Sequence, residues 1–118
     1  MAIEMGAASF DRLVEQAIAS VPADLMAVVD NCILLVEDDP PDGEPDDLLG
    51  LYVGVPLTER DGSYAGVLPD RIMIFRNPTL DLCTSAEEVV AEVRITVVHE
   101  IAHHFGIDDD RLHAWGYG

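Results

Sequence analysis

Apolar residues at Phe10, Leu13, Val14, Ala17, Ile18 and Val21 repeat at the spacing of one helical stripe. The pattern predicts a helix over about residues 9–20, capped by Ser9 and stopped by Pro22, whose ring removes a donor and clashes with the preceding turn. The run from Asn31 to Val36 is short, apolar and bounded by turn formers, which predicts a strand buried on both faces. Leu48 to Leu57 reads as a second strand, and Arg71 to Arg76 alternates polar and apolar residues as a third, with Asp61-Gly62 as a turn between them and Pro78 blocking further ladder pairing. The long apolar-periodic stretch Val89 to Phe105 predicts the dominant helix. Overlapping capping boxes precede it, Thr84 with Glu87 and Ser85 with Glu88, and Gly106 supplies a left-handed stop.

Between the first two strands the pattern vanishes. Residues 37–47 hold seven acids, three prolines and no apolar side chain, so this stretch cannot build a core, and 38–47 is expected to be a flexible, solvated loop. A calcium loop is disfavoured, because the EF-hand spacing is missing and the prolines oppose a tight coordinating turn.

The chain has 118 residues, 49% of them hydrophobic, which suits one domain over residues 1–118 with one modest core. Its 23 acids face six basic residues, all arginine, for a formal charge of −17. Such a field repels nucleic acid and anionic membrane surfaces. No apolar run approaches the roughly 18 residues of a membrane span, and no secretory h-region is evident, so a cytoplasmic protein is expected. Cys32 and Cys83 are then read as buried free thiols.

The chemistry lies at the end of the long helix. In His99-Glu100-Ile101-Ala102-His103 the two histidines are four residues apart, on one helical face and within reach of a single cation. Glu100 lies about 100° round the axis, placed to lean over a water held by the metal as general base. The pattern continues to Gly106 and Asp109, and the whole of it, from His99 to Asp109, is expected by chance roughly once in ten thousand such chains. A tetrahedral zinc needs a third protein ligand, and a glycine after the second histidine lets the chain reverse and bring residue 109 back to it.

The run from His99 to Asp109 resembles the extended zinc signature of the metzincin clan of peptidases, with aspartate in place of the usual third histidine. Over most of its length the chain further resembles the bacterial mini-zincins, through residues 49–57 (Leu-Gly-Leu-Tyr-Val-Gly-Val-Pro-Leu), 68–72 (Leu-Pro-Asp-Arg-Ile) and 104–112 (His-Phe-Gly-Ile-Asp-Asp-Asp-Arg-Leu). The resemblance implies an α+β, minimal zincin-like fold: an N-terminal helix, a small mixed sheet of about three strands, a long active-site helix and a short C-terminal helix. It also implies a zinc metallopeptidase acting on a peptide or protein whose identity and cleavage preference stay open, as does the oligomeric state. One departure is that metzincins place a methionine turn after the third ligand, whereas Met1, Met5, Met26 and Met73 all precede His99.

Asp109 fits the spacing of the third ligand, while Asp108 and Asp110 point elsewhere if a helix starts at 108 with Asp108 as its cap. Glu92 shares the row of His99 but two turns back, about 10 Å away, too far to ligate. His104 reads as a structural or surface residue. His113 is a candidate for orienting a ligand or touching substrate, and Tyr117 for stabilising an oxyanion. The expected mechanism is amide hydrolysis by a zinc-activated water with Glu100 moving the proton, and the third strand bordering the cleft and pairing with an extended peptide. The rival reading is a non-catalytic zinc-binding regulatory or structural module, for which Glu100 has no use.

Overall fold

The computed structural model describes residues 3–26, 32–54, 70–107 and 109–114, without the side chains of Asp24, Asp109, Arg111 and Leu112. Helices α1 (Ala7–Ala19) and α2 (Ala23–Met26) precede strands β1 (Cys32–Glu37), β2 (Gly50–Val53) and β3 (Asp70–Phe75), followed by α3 (Arg76–Leu82), α4 (Ala86–Phe105) and α5 (Asp109–Ala114). The fold is α+β: among the described residues, a three-stranded mixed sheet with a long helix against it.

The first helix begins earlier than its apolar stripe. Gly6 is the N-cap, in extended backbone, and its carbonyl accepts from the Phe10 amide at 3.0 Å. Ala7 and Ala8 are good helix formers, so Ser9 lies inside the helix rather than capping it. The stop is as expected, one turn before Pro22, with Ser20 as C-cap.

The strand order is β1-β3-β2. β1 runs parallel to β3 with Leu34 opposite Ile72, and β2 runs antiparallel with Tyr52 opposite Ile72. Two expectations are corrected by this order. Among the described residues β1 is paired on one side only and is not buried on both faces, leaving Ile33 43% exposed. β3 is the central strand with both flanks paired, so it cannot offer its backbone to a peptide; the strand lying along α4 is β2. The strand read from Leu48 to Leu57 is confined to Gly50–Val53 among the described residues, and the turn at Asp61-Gly62 lies outside them.

Arg76 and Pro78 also differ from expectation. The third strand ends at Phe75, and Arg76 opens α3, with Pro78 in its first turn, where the backbone amides have no intrahelical acceptor to lose. Thr79 closes this turn by donating its hydroxyl to the Phe75 carbonyl at 2.8 Å. α3 also ties down the start of the acidic run. Arg76 pairs with Asp38 at 2.9 Å, Asn77 Nδ2 donates to Asp39 at 2.9 Å, and the Asn77 amide donates to the Asp38 carbonyl. The rest of the run is exposed apart from the half-buried Pro40, as its composition requires.

Of the two capping boxes read from the sequence, Ser85 with Glu88 supplies the cap of α4, whereas Thr84 lies one residue outside the helix and pairs with Glu88 instead of Glu87. The Ser85 side chain caps it by accepting from the Glu88 amide at 3.2 Å, while the Glu88 carboxylate reaches back to the hydroxyl (2.6 Å) and amide (3.2 Å) of Thr84. It ends at Gly106 with φ 68° and ψ 29°, the left-handed cap. Val89, Val93, Val97 and Ile101 are wholly buried at four-residue intervals and pack with Phe10, Val14 and Ala17 of α1. Each such side chain contributes about 1.5–3 kcal/mol, against about 1 kcal/mol for a cap, so packing sets the orientation of α4 and capping sets its ends. The face opposite this row is what α4 presents to the outside.

Candidate active site

His99 and His103 are exposed on that outer face of α4, one helical turn apart, about 6 Å along the axis. Glu100 between them is half-buried and turns toward β2, where its Oε1 accepts from the Tyr52 backbone amide at 3.0 Å. Neighbouring amides in a strand point to opposite sides. Those around Leu49 and Leu51 serve the ladder to β3, as the bond from the Phe75 amide to the Leu49 carbonyl shows, so the Tyr52 amide is directed outward. Glu100 is therefore held by the outer edge of β2.

Two glycines bring this edge close to the helix. At Gly50 an added Cβ would fall 2.5 Å from Thr96 Cγ2 and 3.0 Å from the Met73 carbonyl oxygen; at Gly54 it would fall 3.0 Å from His104 Cε1. Between them Tyr52 lays its ring on His104, centroids 3.9 Å apart and planes 19° from parallel, with Phe105 edge-on at 5.7 Å. Its hydroxyl donates to Asp70 Oδ2 at 2.7 Å, and Asp70 is 6% exposed. Tyr52 thus locks β2, β3 and the last turn of α4 together around the His-Glu-x-x-His run.

Two clefts of about 340 and 350 Å³ open along the β2–α4 seam. Pro45, Asp47, Leu48, Leu49, His99 and Glu100 line the first; Leu48, Leu51, Tyr52, Glu100, His103 and His104 line the second. Glu100 lines both clefts, with His99 in the first and His103 and His104 in the second.

Thiol chemistry does not compete here. Burial pushes both thiols above the ordinary cysteine range, offset at Cys32 by the Tyr52 hydroxyl and reinforced at Cys83 by the charges of Glu92 and Glu88. Both cysteines are free, as expected, although only Cys83 is buried and Cys32 is half-buried; both are protonated at neutral pH, the unreactive form.

His99 and His103 thus share the outer face of α4, and Glu100, turned toward β2, lines both clefts beside them. Asp109 opens α5, but its side chain lies outside the described residues, as do Asp108 and Tyr117. Among the described residues no three His, Cys, Asp or Glu side chains form a group able to hold a metal ion. The two exposed imidazoles fit a zinc site as a pair of nitrogen donors. Glu92 is half-buried near Cys83, and Asp110 and His113 are exposed on α5. His104 has a structural contact, the stack on Tyr52. Gly50, Tyr52, Gly54 and Asp70 belong to the segments that carry the family resemblance, but their part in the site was not read from the sequence, although Gly-x-Tyr-x-Gly in a strand carries a signal: small residues two apart from a large one on one face mark a close approach of another element.

Among the described residues no helix is long and apolar enough to cross a membrane. The chain superposes on a solved structure of a conserved hypothetical protein from T. thermophilus with a TM-score of 0.56 and 24% identity, covering 86% of this chain and 94% of that one, a likeness of fold. No curated protein matches the chain. Its sequence matches the zincin-like metallopeptidase family over residues 29–117, a stretch that holds the whole sheet and the His-Glu-x-x-His helix. The chain belongs to the zincin-like metallopeptidase family.

Proposed function

We propose that the chain is a zinc-dependent peptidase in which His99, His103 and Asp109 hold the metal and Glu100 is the general base. The observation that carries this reading is the placement of Glu100, flanked by two exposed imidazoles, anchored to Tyr52 at 3.0 Å and lining both clefts. Zinc, when bound, supplies the positive charge that makes a water acidic near neutral pH. The Tyr52 amide fixes one oxygen of Glu100 and leaves the other to take the attacking water's proton and deliver it to the leaving amine. The β2 edge, not β3, lies where an extended peptide would run along α4.

Glu100→Gln tests this reading. The amide keeps the side chain's size and an oxygen for the Tyr52 amide but cannot accept a proton. The zinc content should stay at the wild-type level while turnover of short peptides, read by mass spectrometry near pH 7 with added zinc, falls by about two or more powers of ten. Equal rates in wild type and variant would refute the reading. If neither cleaves and both hold zinc tightly, the non-catalytic zinc-binding module takes its place.

A further inference from the structure

We propose that the groove selects peptides with an arginine or lysine beside the bond to be cut, and that Asp47 is the residue that reads the charge. This deepens the peptidase reading and rests on it.

The cleft on the His99 side has an aliphatic wall formed by Pro45, Leu48 and Leu49, and Asp47 stands in the same wall. Long basic side chains bury their methylene stem against apolar surface and keep the charged head at the rim, where a carboxylate adds a charge-assisted hydrogen bond. An acidic side chain meets repulsion there, and an uncharged polar one lacks the ion pair.

Asp47 is singled out from the acidic run by position. Asp38 and Asp39 are engaged by Arg76 and Asn77 at the start of α3, and none of the other acids of the run lines this cleft. Among the described residues Asp47 has no basic partner of its own, so an incoming cation breaks no existing pair. The second cleft has a different character. Its stacked Tyr52 and His104 rings with Leu51 suit an apolar or aromatic neighbour. The recognised unit is therefore a basic residue and an apolar residue, one in each of the clefts that Glu100 lines.

The test uses fluorescein-labelled Ala-Ala-Arg-Leu-Ala-Ala and Ala-Ala-Leu-Arg-Ala-Ala, each beside a counterpart with Gln in place of Arg. Binding to zinc-supplemented Glu100→Gln protein is read by fluorescence anisotropy, and cleavage by wild type is read by mass spectrometry. At least one arginine peptide should bind about two- to fivefold tighter than its counterpart, the range of an exposed rim ion pair. Asp47→Asn on the same background should remove that difference, and 1 M salt should shrink it. Equal binding of arginine and glutamine peptides, no binding of either, or a preference that survives Asp47→Asn would overturn the proposal. The two readings fail separately: cleavage without arginine preference sinks charge selection alone, and Asp47-dependent binding without cleavage sinks the peptidase reading alone.

Discussion

Gly50→Ala should loosen the candidate site by prising β2 from α4. The added methyl would sit 2.5 Å from Thr96 Cγ2 and 3.0 Å from the Met73 carbonyl oxygen, where carbon atoms rest at about 3.5–4.0 Å. About 1 Å must be found. The Thr96 methyl has little freedom to yield, because the side chain is buried and its hydroxyl is tied to the Glu92 carbonyl at 2.8 Å. The strand moves instead, and an outward shift of about 1 Å stretches the Tyr52–Glu100 bond from 3.0 Å beyond hydrogen-bond range. The expected cost is about 1–3 kcal/mol of overpacking, several degrees in Tm. Thr96→Ser removes the offending methyl and keeps the hydroxyl. The double variant should recover part of the loss, with a coupling energy of about 0.5–3 kcal/mol in urea unfolding of all four proteins. A Gly50→Ala protein within about 0.5 kcal/mol of wild type, or strict additivity with Thr96→Ser, would refute the close-approach argument.

Tyr52→Phe keeps the stack on His104 but withdraws a donor from the buried Asp70 carboxylate, so stability should fall by about 1–3 kcal/mol, with an unchanged urea midpoint as the contrary result. The Thr84 hydroxyl and amide hold the Glu88 carboxyl below the ordinary glutamate range. Its stabilising contribution is therefore complete above the unfolded-state value and lost as pH falls through the lowered folded value. Between about pH 5 and pH 3 wild type should lose an increment of stability that Glu88→Gln does not, and parallel pH profiles would show that the Thr84 contacts add nothing.

What the sequence made legible was local. Ser85, Glu88 and Gly106 mark the ends of α4 by side-chain chemistry within a few residues of each end, and the spacing of His99 and His103 puts them on one face of any helix. Edge and centre of the sheet were not legible, because Cys32 to Val36 reads the same whether one neighbour strand or two flank it. Pro78 misled for a related reason: a proline ends a strand and is also accepted in a helix's first turn, and only the bond from Thr79 to Phe75 tells them apart. The grip of Tyr52 on Glu100 spans 48 positions and uses a backbone amide, which no residue type announces.

Zinc per chain after exhaustive dialysis, measured by inductively coupled plasma mass spectrometry, shows whether the His99–His103 face of α4 holds a zinc ion. Wild type should carry about one zinc, His99→Ala and His103→Ala well below one, and Asp109→Ala an intermediate amount, since water can replace one carboxylate oxygen more readily than a helix-borne imidazole. Full zinc retention by the His103→Ala protein would contradict a zinc ion on that face.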